Sequence, residues 1–212
     1  AWAEREDIDC LYYLEDLQHA GSLRLAERAG FRLTDIRVQL TCPLPARERE
    51  PGVGPETTRP HRDDDVPTLC RIAAVSHHDS RFYHDGGFDR ERCDALYETW
   101  IRNSCAGYAD EVLVVTAEGA PVGYLSCHVD SASTGRIGLT AVDAAFRGRS
   151  LGSQLIRASL QWFTEKGCEE VGVTTQARNT GARASTQRVA SAPTRSRPGS
   201  TSGPTAPRKS RP

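Results

Sequence analysis

The 212-residue sequence predicts an α/β fold of the mixed type, an α+β mixed sheet with helices packed on it. Three observations carry that prediction. A short apolar run, Ile137 to Val142, passes through a loop with two glycines and two arginines into a strongly patterned helix. From about residue 63 the periodicities give helix, helix, strand, strand, strand, helix, strand. Ahead of them, residues 1–40 read as a small β-α-β unit.

Each element has its own signal. Residues 8–14 (Ile-Asp-Cys-Leu-Tyr-Tyr-Leu) are rich in aromatic and apolar side chains and predict a strand. Residues 22–30 predict a helix, with Ser22 as N-cap and Gly30 as its stop. Residues 35–40 alternate polar and apolar, as a half-buried strand does. A unit of this size buries too little surface to stand alone and must pack on the rest or on an upstream piece. Residues 41–60 carry five prolines and no periodicity and read as a linker. Asp63, Asp64 and Asp65 suit a helix N-terminus, and the helix after them would bury Leu69, Ile72, Ala73 and Val75. Residues 76–87 form a loop dense in titratable side chains. Phe88 to Ser104 predicts an amphipathic helix with Cys93, Leu96, Tyr97, Trp100 and Ile101 on its inner face. Residues 111–116 and 121–128 predict two strands around an Ala-Glu-Gly-Ala turn, and 137–142 a third. In the helix 151–166, Leu151, Leu155, Ala158 and Trp162 form one row, and Ile156, Leu160 and Phe163 a second. Residues 170–175 complete the set as a strand.

Composition limits the function classes. Seven cysteines without a Cys-x-x-Cys pair argue against a zinc ribbon or disulfide scaffold and for reduced thiols in a cytoplasmic protein. There is no secretory signal pattern and no apolar run long enough for a bilayer, so no membrane role is expected. Methionine is absent, which reads as a fragment whose start lies upstream. The net charge of −1 is unevenly placed: residues 181–212 hold seven basic side chains and no acid, leaving an acidic body.

The strand-loop-helix stretch is the first candidate for chemistry. A helix N-terminus presents unpaired N–H groups and partial positive charge, and glycine lets an anion approach the backbone. Two glycines also serve a plain strand-to-helix turn, so the loop by itself is weak evidence. It is not a nucleoside-triphosphate loop, because no Gly-Lys-Ser/Thr closes it, and no Gly-x-Gly-x-x-Gly dinucleotide fingerprint occurs. Arg147-Gly-Arg-Ser150-Leu-Gly152 resembles the pyrophosphate loop of the GNAT superfamily of N-acetyltransferases, Arg/Gln-x-x-Gly-x-Gly/Ala. Ser150 stands where the family has glycine: it still offers its amide, but its side chain is expected to crowd the pyrophosphate or to force a φ the residue dislikes. The element order from about 63 is also that of the GNAT core, and the resemblance covers residues 58–180. The strings Asp79-Ser-Arg-Phe-Tyr-His-Asp85, Phe88-Asp-Arg-Glu-Arg and Tyr97-Glu-Thr-Trp-Ile-Arg look like the branch of dTDP-fucosamine acetyltransferases.

That resemblance implies an acyltransferase with acetyl-CoA as co-substrate, in a ternary complex with a nucleotide-linked amino sugar whose amine accepts the acetyl group. It implies a GNAT domain over 61–180. For cofactor binding it implies Thr140, Ala141 and Val142 on the strand, Arg147, Gly148, Arg149, Ser150, Leu151, Gly152 and Ser153 in the loop and helix start, and Asn179 after the last strand. Gly138 would mark a bulge in that strand. The loop 76–87 is where the family places acceptor contacts, so His77, His78, Asp79, His84 and Asp85 are the acceptor-side candidates. His128 reads equally as a core histidine or a site residue. No metal site is expected, since the cluster lacks ligand spacing.

After Asn179 the family continues Ala-x-x-Leu-Tyr-x-x-x-Gly-Phe, with the Tyr protonating the departing thiolate. Here no Tyr, Phe, Trp, Leu or Ile follows residue 180, so the catalytic Tyr is missing and the tail 181–212 is expected to stay disordered. Its codons, read one frame over, allow Leu-Tyr and Gly-Phe at the family spacing, which suggests a frameshift that sequencing the gene around codon 180 would test. On this reading the basic tail is no nucleic-acid arm, the final strands are lost, the sheet keeps an unpaired edge and activity is impaired. Leu25-Ala26-x-x-x-Gly30-Phe31 repeats the same spacing near the N-terminus, as a degenerate structural copy. A GNAT enzyme for a protein N-terminus or another small amine, and a nucleic-acid binder using the tail, are the alternatives; a homodimer is left open.

Overall fold

The computed structural model describes residues 2–44 and 58–181, so most of the expected linker and nearly all of the basic tail lie outside the described residues. The N-terminal part opens with two helices, α1 (Trp2–Arg5) and α2 (Ala20–Arg28). Residues 8–14 form no strand, contrary to the expectation from their composition. Their aromatic rings serve packing instead of ladder pairing: Tyr12 meets the edge of Phe82 at 6.1 Å, and Tyr13 lies 5.9 Å from Phe31. The expected β-α-β unit is therefore helix and strand only. Helix α2 starts at Ala20, with His19 rather than Ser22 at its N-cap: the His19 carbonyl already accepts from Leu23 N–H at 3.1 Å. Gly30 ends it with φ +89°, as anticipated.

Two strands take up the ends of the stretch read as a linker, β1 (Arg37–Pro43) and β2 (Thr58–Pro60). Pro43 and Pro60 are tolerated because these are the two edges of the sheet, where a missing N–H breaks no ladder. Arg59 on β2 holds Asp65 with two hydrogen bonds of 2.6 and 2.9 Å, which pulls the carboxyl below its usual range and ties the edge to the following helix.

A 3-10 turn at Asp63–Asp65 leads into α3 (Val66–Ala74), followed by the single turn α4 (Arg81–His84) and the longer α5 (Arg90–Asn103). Then come β3 (Glu111–Ala117), β4 (Ala120–Val129), β5 (Thr134–Val142), α6 (Leu151–Glu165) and β6 (Glu170–Gln176). The six strands lie in the order β1-β6-β5-β4-β3-β2, and only β5 and β6 run parallel. Alternation along the strands splits the core into two layers. Val112, Val114 and Tyr124 pack with α3 and α5, while Leu113, Val115, Leu125 and Cys127 pack with α6. Leu69, Ile72 and Ala73 are buried as expected, but Val75 is 57% exposed, since it caps α3 beyond its last inward turn.

The β6 edge expected to be unpaired is fully paired. Strand β1 runs antiparallel along it from Arg37 opposite Gln176 to Pro43 opposite Glu170. An open edge leaves N–H and C=O groups without partners, and β1 supplies them. The clasp continues past the strand: Ala177 N–H donates to Ile36 at 2.8 Å, and Arg178 donates to the Thr34 carbonyl at 2.9 Å.

Candidate functional site

The site begins with a fault in the sheet. Cys127 pairs with Ile137 and Leu125 with Thr140, so Gly138 and Leu139 together face the single residue Ser126. Leu139 N–H donates to Ser126 Oγ at 2.8 Å, which holds the bulge. Only glycine fits here: a Cβ on Gly138 would lie 2.5 Å from Ser126 Oγ and 2.7 Å from His128 Nε2. The extra residue flips the strand, so that Ile137 packs on the α6 side and Leu139 and Ala141 on the α3/α5 side. Parallel pairing between β5 and β6 stops at Ile137 and Val173, although the strands continue to Val142 and Gln176. They splay apart into a cleft of about 760 Å³ lined by both strands.

Along β5 the cleft meets Thr140, Ala141 and Val142; Thr140 Oγ1 is buried there without a partner. An orphaned hydroxyl and an unpaired strand edge need hydrogen bonds from elsewhere, as a bound amide-rich ligand supplies. Past Val142 the chain turns through Asp143, whose side chain accepts from Ala145 N–H, and a 3-10 turn at Ala144–Phe146. Arg147 Nε donates to the Val142 carbonyl at 3.1 Å and so is pinned at the cleft. Gly148 takes φ +77° and Ser150 takes φ +60°, the left-handed conformation that was the concern for a serine. Ser150 makes no side-chain cap to α6, which leaves the first N–H groups of that 15-residue helix turned to the cleft with Leu151, Gly152 and Ser153. Asn179 lines the cleft after β6. Arg149 does not reach its lining; its guanidinium sits 5.0 Å over the Phe146 ring. The remaining groups fit an acyl-CoA, with a splayed strand for the pantetheine amides and a glycine loop and helix start for the pyrophosphate.

The other wall comes from the α3–α5 loop. Of the acceptor-side candidates, His77 and Asp79 reach the cleft. His78 turns to Arg90 at 3.1 Å, His84 is exposed at the end of α4, and Asp85 accepts from Tyr12 Oη at 2.7 Å. His77 is stacked on Tyr97 at 4.5 Å, and its Nε2 lies 2.9 Å from Tyr124 Oη. Burial, and secondarily the neighbouring His78, push the His77 pKa down to about 4, so it is neutral near pH 7. His128 is a core residue: 7% exposed, beside Gly138 and the Tyr108 ring, with its pKa lowered chiefly by burial.

Sequence reasoning missed Arg81, which lines the cleft, and Tyr124, which orients His77 from a buried strand position. It also placed Trp100 in the core, whereas the ring is 38% exposed and faces the cleft. Tyr124 stands in a strand buried on both faces, and the sequence does not say what it meets. Among the described residues, no group of three metal-ligating side chains is suited to an ion, and no helix is long and apolar enough to cross a membrane.

With the geometry in place, comparison with known proteins is direct. The acetyltransferase (GNAT) family profile matches residues 72–190. The dTDP-fucosamine acetyltransferase of Escherichia coli O6:H1 is 28% identical over 166 residues, 77% of this chain and 68% of the relative. A mycothiol acetyltransferase of Saccharopolyspora erythraea is 30% identical over 170 residues, 78% of this chain but about half, 53%, of the relative. A GCN5-related N-acetyltransferase from Sphaerobacter thermophilus shares the fold with a TM-score of 0.57 at 21% identity, covering 82% of this chain and 53% of that one.

Proposed function

The chain belongs to the acetyltransferase (GNAT) family, whose members use acetyl-CoA, and from that premise we propose that its acceptor is the amine of a nucleotide-linked amino sugar. The observation that carries this is one cleft with two differently built walls: backbone and glycines on the β5–α6 side, and aromatic and titratable side chains on the α4–α5 side. The likeness to the Escherichia coli enzyme supports the sugar.

Acetyl transfer by direct attack needs a polarised thioester, a neutral amine and a protonated thiolate. The unpaired backbone of β5 past Gly138 supplies donors to the thioester oxygen, and Arg147, Gly148 and the start of α6 hold the pyrophosphate. His77, neutral and fixed by Tyr124, accepts a hydrogen bond from the amine in the tautomer that leaves Nδ1 open. No tyrosine stands after β6, where the family places its acid, so the departing thiolate takes its proton from solvent as the attacking nitrogen releases one. Turnover is therefore expected to fall roughly a hundredfold below that of an intact relative.

The test is thiol release from acetyl-CoA with a dTDP-linked amino sugar as acceptor. Slow release that depends on the sugar supports the reading, and release that is indifferent to it overturns it. The mycothiol acetyltransferase likeness favours a second reading, a small non-nucleotide amine. Faster turnover with such an amine than with the dTDP sugar would establish that reading instead.

A further inference from the structure

Arg81 lines the cleft on the acceptor wall and lacks a counter-ion. No carboxylate stands within ion-pair distance of it among the described residues, and its Nε is buried without a hydrogen-bond partner. Its guanidinium carbon lies 4.3 Å from the centre of the Phe82 ring and 5.0 Å from that of Tyr12, in the corner formed by these two edge-on rings. Those rings are held in turn: Phe82 packs edge-on against Phe88 and Trp100, and Tyr12 donates to Asp85 at 2.7 Å. Asp85 is thus engaged by Tyr12 instead of by the arginine.

Contact with ring faces leaves the N–H groups of a guanidinium available to a partner. Desolvating a cation without an opposite charge is costly, so the arrangement is completed by an anion. The pyrophosphate of the donor is served by the loop that leads to α6, on the sheet face away from α5. Arg81 stands with His77 and Asp79 on the acceptor wall, so its anion is taken from the second substrate, and titration of acetyl-CoA separates that source from the 3′-phosphate of the donor.

We propose that Arg81, held against Phe82 and Tyr12 of the N-terminal segment, is the residue that recognises the phosphates of the acceptor. This rests on the nucleotide-linked acceptor proposed above and assigns its charged end to a specific side chain. The N-terminal segment thereby becomes part of the substrate site through Tyr12.

Calorimetric titration of dTDP into the full chain, with thymidine and acetyl-CoA titrated in parallel, tests it on the native protein and on Arg81→Ala and Arg81→Lys. The expected result is a dTDP affinity at least roughly tenfold weaker in Arg81→Ala, as for loss of a charge-assisted bidentate contact, with acetyl-CoA affinity within about twofold of native. Arg81→Lys keeps the charge but not the planar fork, and should fall between them. Thymidine binding should be indifferent to all three. If Arg81→Ala loses acetyl-CoA binding as well, Arg81→Lys decides: weaker dTDP with intact acetyl-CoA binding upholds the assignment, and unchanged dTDP binding overturns it. Native dTDP affinity in Arg81→Ala overturns the role of Arg81 and leaves the amino-sugar acceptor standing. A native chain that does not bind dTDP overturns both.

Discussion

The two walls of the cleft are made by different means. The donor wall is nearly one contiguous stretch, 137–153, and works through backbone: a bulge, an unpaired strand edge, two residues at positive φ and a helix start. The acceptor wall is assembled from distant pieces: residues from 76–82 and Tyr97 with Trp100 line it, while Tyr124 contacts His77 and Tyr12 contacts Arg81. It works through side chains. A backbone device depends on local conformational rules, whereas a side-chain cluster depends on the whole chain closing correctly. The acceptor wall should thus be the more sensitive to events elsewhere in the molecule.

The strongest challenge to that contrast is removal of residues 2–44, which takes away both β1 and Tyr12. Loss of β1 uncovers the whole β6 edge, so the truncated chain is expected to lose its cooperative thermal transition. A melt within a few degrees of native would show that the acceptor wall stands without the N-terminal segment. Gly138→Val attacks the donor wall alone. Its side chain would collide with Ser126 and His128, at a cost of about 2–3 kcal/mol, and closing the bulge should weaken acetyl-CoA binding more than tenfold. Unaltered affinity by titration would separate the bulge from donor binding.

A pH series addresses the acceptor wall. His77 has its pKa depressed to about 4, below the ordinary 6.5. Below pH 6.5 the unfolded chain takes up a proton that the folded chain refuses, so stability is lost as pH falls from about 6.5 towards 4. Allowing for the part of the ring that meets the solvent-filled cleft, the loss is about 2 kcal/mol by pH 4. In urea titrations His77→Gln should show a flatter acid limb than native; parallel curves would mean that His77 contributes no such linkage. The smallest effect is expected at Ser150→Gly, which relieves the left-handed backbone and should stabilise by about 0.5–1 kcal/mol, read as a rise in melting temperature.

The elements from β3 onward were legible because their periods are local. The strands are apolar runs of seven to ten residues bounded by turn residues, and α6 carries two apolar rows over 15 residues. Strand β2 was not legible, as three residues containing a proline show no period. Residues 8–14 misled for the opposite reason, because aromatic content suits both a strand and an extended packing segment. In the candidate site, Gly138, Gly148 and the difficulty at Ser150 could be read directly, since each concerns one residue's φ or the space at its Cα. The loop histidines could be named but not ranked. His77, His78 and His84 look alike in sequence, and only their partners separate them.

The sequence by itself determined the mixed α/β class, the family resemblance, the glycine–arginine loop ahead of α6 and the absence of a tyrosine after β6. These follow from residue type and short-range spacing, which the backbone obeys wherever the segment sits. Tertiary structure alone decided that β1 covers the β6 edge, that β5 and β6 part after Ile137, and that Arg81 lies against Tyr12 and Phe82 with no counter-ion among the described residues. Those facts join residues tens of positions apart, and no local rule carries the free energy that brings them together: it comes from burying shared apolar surface and pairing a common strand edge.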